Sequence, residues 1–205
     1  DADTLACRVL CHTSIARRIR IAPKQFINES FGNAPLLAER LDYILIQHDF
    51  LIPQQIIELL KKQGISSAIV SLGGNVQTLG KKEDGKSFVV GITDPGDGNS
   101  ILGTLPVENK AVITSGIYQR YFEENGKKYH HIIDTRTGMP ADNNLASVTI
   151  ISENGIMADA LATALLVAGE NEVKNYAKSH KDIEIIMIDK KGNVWQSDGV
   201  ALTLR

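Results

Sequence analysis

The sequence predicts an α+β domain of mostly antiparallel strands with a few packed helices. Short runs of β-branched and aromatic residues outnumber helical patterns, the links between them are short and rich in Gly and Asn, and no internal repeat or low-complexity linker divides the chain. Short links favour antiparallel neighbours, because parallel strands need long crossovers. The 205 residues carry 22 Lys+Arg against 24 Asp+Glu and are 43% hydrophobic, enough for one good core. The formal charge of -2, with no long basic run, removes the electrostatic footprint of a nucleic-acid binder. Arg17-Arg18-Ile19-Arg20 is the densest basic cluster and reads as a solvated patch. No apolar stretch reaches the ~20 residues of a membrane helix, so no span is expected in this chain.

Residues 1–52 follow neither a sustained helical nor a strand period, although 36–50 suits a helix. Cys7 and Cys11 have no zinc-spaced partner; on a helix they would share a face, and they read as ordinary thiols. Pro53 fits the first turn of a helix whose apolar side is Ile56, Ile57, Leu59 and Leu60, with Lys61-Lys62 in the last turn and Gly64 as the stop. Strands are then expected at 67–72, 75–80 and 87–93, with a hairpin turn at Lys82-Glu83-Asp84-Gly85. A loop at Pro95-Gly96-Asp97-Gly98-Asn99 precedes strands at 101–107 and 111–114. Residues 118–123 and 128–133 flank Glu124-Asn125-Gly126, whose Asn-Gly pair suits a hairpin turn. A strand at 146–152 leads to an Ala- and Leu-rich buried helix at 155–168, stopped by Gly169. A helix near 171–179 and strands at 183–189, 194–196 and 201–204 complete the chain.

Three places hold residues suited to chemistry. Asp159 and Thr163 lie four residues apart on the expected helix, so their oxygens share one face and can reach a hard cation such as Mg²⁺. The plainer alternative is a carboxylate near a helix N-terminus and a hydroxyl bonded to its own backbone. His130 and His131 end a strand, where neighbours face opposite sides; only one of them can look into a given cleft and serve as a base near neutral pH. The alternative is a surface or internally satisfied pair. Ser71-Leu72-Gly73-Gly74-Asn75 and Thr114-Ser115-Gly116 are strand ends whose small residues let backbone amides approach a ligand, or else simply make tight turns. Neither matches a Walker loop or a dinucleotide fingerprint.

In chain order, Leu72-Gly73-Gly74-Asn75, Gly91-Ile92-Thr93-Asp94-Pro95, Thr114-Ser115-Gly116, His131-Ile132-Ile133-Asp134 with Thr137-Gly138, and Ala158-Asp159-Ala160-Leu161-Ala162-Thr163-Ala164 resemble the ApbE family of FAD:protein FMN transferases. The resemblance begins near Gln54 and runs to Arg205. It implies an ApbE-type domain over 53–205, with 1–52 a divergent segment and the N-terminal portion of the domain incomplete. It also implies Mg²⁺-dependent transfer of FMN from FAD to a Thr or Ser hydroxyl of an acceptor protein, with release of AMP. In that reading Asp159 and Thr163 hold the metal and His131 is the catalytic base. Gly73, Gly74, Asn75, Thr114, Ser115 and Gly116 line the flavin nucleotide site. The competing readings are an inactive remnant that binds nucleotide or a protein partner, and a metal-dependent FAD pyrophosphatase.

The chain departs from the family pattern in three ways. The family usually carries about a hundred further residues before this region. Just before the Pro53 helix, Ile44-Leu45-Ile46-Gln47-His48-Asp49-Phe50 stands where the resemblance implies a Gly-Gly-Ile-Ala-Lys-Gly-like stretch that gives a backbone carbonyl to the metal. Thr135 stands where Pro is usual. The expectation is a truncated or frame-shifted reading at the N-terminus. Family members commonly work outside the cytoplasm, often lipid-anchored; no leader or lipobox is legible, and the compartment stays open.

Overall fold

The computed structural model describes residues 8–11 and 52–205. The expectations placed on residues 17–20, 36–50 and 44–50, and on Cys7, lie outside the described residues. The central element is a seven-stranded sheet. Its strands, in spatial order, are β1 (Arg8–Cys11), β2 (Ala68–Leu72), β3 (Asn75–Leu79), β6 (Ala111–Gly116), β11 (Leu145–Ser152), β12 (Glu184–Asp189) and β13 (Val194–Gln196). Every pairing is antiparallel except β1 with β2, which is parallel. Cys11 therefore stands in a strand, and the helical placement of the cysteines does not apply to it.

Three helices, α1 (Ile52–Lys62), α2 (Gly155–Ala168) and α3 (Glu170–Ser179), cover one face of this sheet. A second sheet of β4 (Phe88–Thr93), β5 (Ile101–Val107) and β14 (Thr203–Leu204) covers the other. Every residue of β11 is buried, as a strand covered on both sides requires. The alternation along it separates two cores. Val148 and Ile150 face Ala158, Ala162 and Leu165 of α2, while Ile151 meets Val90, Ile92 and Leu105 of the second sheet.

The sequence explains the helix positions. Asn154 caps α2 by accepting a 3.0 Å bond from the Met157 amide. Alanines at 158 and 162 let its backbone lie close on the sheet. α1 ends where expected, its Lys61 carbonyl accepting from the Gly64 amide.

Several boundaries differ from expectation, each for a physical reason. The Lys82–Gly85 turn forms, the Gly85 amide donating to the Lys82 carbonyl at 2.9 Å, but it joins strands of two different sheets rather than a hairpin. β6 runs to Gly116, beyond the expected end at 114, because β11 still pairs with it there. The next pair, β7 (Tyr121–Glu124) and β8 (Lys127–His130), is shorter than expected at both outer ends. Residue 118 cannot start it, since the Tyr118 ring folds back over Gly116. Ile132 leaves it for the main core, and Ile133 pairs instead in a small ladder of β9 (Ile133–Asp134) with β10 (Met139–Pro140). The final strand shrinks to Thr203–Leu204.

Candidate functional site

The motif residues gather at the end of the central sheet where β2 turns into β3 and β6 finishes. Leu72 and Asn75 are paired across a two-residue turn, with Gly73 at φ 56° and Gly74 at φ 91°, a geometry open to glycine at little cost. The turn abuts the segment after β6: a Cβ on Gly74 would lie 3.8 Å from Gln119 Nε2. Gly116 is required by its neighbour, since a Cβ there would lie 2.3 Å from the Tyr118 ring. The 94–100 loop packs on the same ring, Gly98 lying where a Cβ would be 3.3 Å from it. Burial pushes the Tyr118 phenol above its ordinary value. Asn75 faces the helical side of the sheet beside Ile113, accepts a 3.3 Å bond from Gln77 Nε2, and leaves its buried Nδ2 without a partner.

β6 presents consecutive hydroxyls to opposite faces. Ser115 points at the helices, and its Oγ lies 2.8 Å from Thr163 Oγ1 on α2. Thr114 points at the second sheet, 2.7 Å from Thr149 Oγ1 of β11. Asp159 stands one turn before Thr163, half-buried, and burial raises its pKa. A desolvated carboxylate with a hydroxyl pair one turn away is a hard-oxygen donor set that fits Mg²⁺. No cluster of three or more His, Cys, Asp or Glu exists among the described residues, so protein carboxylates alone form no metal cage there.

The two histidines take different environments. His130 is buried at 8% exposure, its Nε2 donates to the Ala141 carbonyl at 3.1 Å, and its Nδ1 has no partner. Burial lowers its pKa and favours the neutral ring. His131 is exposed, and its amide and Nδ1 both point at the Arg120 carbonyl, at 3.1 and 3.2 Å. A carbonyl only accepts, so Nδ1 carries a proton, which in the neutral tautomer leaves Nε2 as the acceptor. The following turn is fixed by Asp134, whose carboxylate accepts from the Arg136 amide and guanidinium. That guanidinium holds Asp134 below the usual carboxylate range.

Ser115 and Thr163 are thus brought together directly, with Asp159 one helical turn before Thr163. The Gly73-Gly74 turn reaches His131 by way of Gln119 and Arg120. Sequence reasoning missed Tyr118, Gln119 and the Arg120 carbonyl. The first two lie outside every motif, and a backbone acceptor leaves no side-chain signature. A hollow of about 300 Å³, lined by Leu105, Val107, Lys110 and Glu184, lies at the other end of β6, away from the motifs.

Comparison with known proteins gives the family. The family model described as "ApbE family" matches residues 51–187, about two thirds of the chain, and the chain belongs to that family. It is 35% identical over 144 residues to the FAD:protein FMN transferase of Klebsiella pneumoniae, covering 70% of this chain and 44% of that protein. It is 37% identical over 175 residues to the FAD:protein FMN transferase of Treponema pallidum, covering 81% and 48%. The ApbE protein of Thermotoga maritima superposes with TM-score 0.66 at 32% identity, covering 73% of this chain and 48% of that one. The flavin transferase ApbE of Vibrio cholerae gives 0.64 at 30%, with the same coverage. The chain therefore spans rather less than half the length of these relatives.

Proposed function

We propose that this chain carries a flavin-transfer site that moves FMN from FAD to a Thr or Ser hydroxyl of an acceptor protein and releases AMP. The observation that carries the proposal is the half-buried Asp159 carboxylate one turn from the Thr163–Ser115 hydroxyl pair. Asp159 and Thr163 would hold Mg²⁺. When bound, that ion supplies positive charge against the pyrophosphate oxygens. The Gly73-Gly74 turn and Asn75, with its unpaired Nδ2, would line the nucleotide together with Ser115 and Gly116. Thr114, whose hydroxyl is engaged with Thr149, would contribute through its backbone.

His131 Nε2 accepts the proton of the acceptor hydroxyl. The hydroxyl oxygen forms a bond to the phosphorus of the FMN half, and the bond from that phosphorus to the bridging oxygen breaks. AMP departs with that oxygen. The Arg120 carbonyl holds the imidazole in the tautomer this needs. The relatives named as FAD:protein FMN transferases support the reading.

The test is incubation with FAD, Mg²⁺ and a Ser- or Thr-bearing acceptor protein, followed by mass spectrometry of the acceptor. The expected result is an FMN adduct. Release of FMN and AMP without an adduct would indicate a metal-dependent pyrophosphatase. FAD that stays intact would indicate a nucleotide- or partner-binding remnant.

A further inference from the structure

The β7–β8 hairpin begins and ends at the site, because Arg120 and His131 close its base. Its register separates two faces. Tyr121 pairs with His130 and Glu123 with Lys128, and on this side Lys128 Nζ stands 4.5 Å over the Tyr121 ring. Phe122 pairs with Tyr129 on the other side, the rings stacked at 5.1 Å and 10°. Strand alternation puts Tyr129 on the side opposite buried His130, and His131 follows at the bend just beyond the strand end. Phe122 is 61% exposed.

We infer that the Phe122–Tyr129 face is the docking ledge for the acceptor polypeptide. The inference rests on the proposed transfer reaction. A protein acceptor must run its chain past His131 on both sides of the reacting hydroxyl. Tyr129 lies two residues from His131, about 7 Å along an extended chain. A side chain two to four positions from the acceptor hydroxyl therefore falls on the stacked rings. Among the described residues, β7 pairs with no strand but β8, so its outer edge is open to the backbone of an extended peptide. The occupant is an extended Ser- or Thr-bearing segment with an aromatic or branched apolar residue near its hydroxyl.

The test pans short peptides with a fixed central Ser or Thr and randomised flanks on the immobilised chain. Phe122→Ser, Tyr121→Ser and His131→Ala chains are panned alongside. The chain itself, Tyr121→Ser and His131→Ala should retain peptides with an apolar residue two to four positions from the hydroxyl. Phe122→Ser should retain them about tenfold less or worse, with circular dichroism and FAD binding unchanged. Tyr121→Ser removes a similarly exposed ring from the opposite face, so it controls for general loss of apolar surface. Absence of retained peptides, or equal retention by Phe122→Ser, overturns the ledge. So does a parallel fall in FAD affinity, which would assign the rings to the flavin. Transfer of FMN to the retained peptides is measured separately. Binding without transfer counts against the proposed reaction and leaves the ledge standing, whereas transfer indifferent to Phe122 does the reverse.

Discussion

Thr114 and Ser115 are neighbours on one strand, and each shares a hydrogen bond with a threonine, yet they belong to different parts of the molecule. The Thr114–Thr149 pair lies within the sheet, with Thr149 at 1% exposure, where its task is to satisfy two hydroxyls between apolar layers. The Ser115–Thr163 pair joins sheet to helix at an exposed seam beside a desolvated carboxylate. His130 and His131 repeat the contrast one hairpin later, one buried and bonded to the Ala141 carbonyl, the other exposed and bonded to the Arg120 carbonyl. Along β6 the two-residue period of the strand sends one residue to the core and its neighbour to the candidate chemistry, whereas β8 stops at His130 and His131 stands just beyond its end.

The largest expected effect breaks the histidine contrast. His131→Ala should lower covalent flavin transfer by about 100- to 10,000-fold while leaving FAD binding nearly unchanged. His130→Ala should act on folding, because it empties a buried site and frees the Ala141 carbonyl; its transfer rate per folded molecule should fall far less. Rates normalised to folded protein decide the matter. Equal losses would mean the two rings do not divide the work.

Next comes the metal. Mg²⁺ should bind weakly without nucleotide, since two side-chain ligands leave most of an octahedron to water and phosphate. Asp159→Ala should remove what binding there is. Calorimetry with Mg²⁺ alone, then with AMP present, reads both. Tight nucleotide-independent binding that survives the substitution would take Asp159 out of the site.

The hydroxyl pairs give smaller and opposite effects. Thr149→Val leaves the Thr114 hydroxyl unpaired, at a cost of about 1–3 kcal/mol, or several degrees in melting temperature. It should not change how Mg²⁺ alters FAD affinity. Thr163→Val removes one exposed neutral hydrogen bond, worth roughly 0.5–1.5 kcal/mol, but should weaken that Mg²⁺ response. If Thr149→Val blunts the response as much as Thr163→Val does, the two faces of β6 do not divide structure from chemistry.

Much of this was legible in the sequence where a pattern is local. The α2 bounds and the β13 strand match their expected limits because caps and apolar periods mark them directly. The i, i+4 placement of Asp159 and Thr163 follows from the helix alone. What tertiary context decides was not legible. The Lys82–Gly85 turn looks like any hairpin turn, yet its strands part into two sheets because each has an apolar face to bury elsewhere. The Thr163–Ser115 contact joins residues 48 apart, and the Arg120 carbonyl that sets the His131 tautomer carries no residue-type signal. The two histidines do differ in exposure, but β8 ends at His130 before alternation can place His131, and only burial reveals which of them faces inward.

The smallest effect sharpens the reading of the carboxylate itself. Burial raises the folded-state pKa of Asp159 above its ordinary value, so the folded chain holds that proton more tightly than the unfolded chain. Stability from this group is therefore fully present below the unfolded value and is lost as pH rises through the raised one. Once pH has risen through the raised value the metal-free protein carries a desolvated charge, and Asp159→Asn, of nearly the same shape, escapes that penalty. The variant should melt slightly higher than the parent at neutral pH without Mg²⁺, and the difference should shrink to nothing as pH falls below the ordinary carboxylate value. Mg²⁺ with nucleotide should reverse the order, because ligand binding stabilises the chain that retains its carboxylate. Thermal melts across pH, with and without Mg²⁺ and AMP, measure each part. A variant that melts lower than the parent at neutral pH without Mg²⁺ would mean that a positive partner already holds Asp159, and the carboxylate would no longer call for a metal.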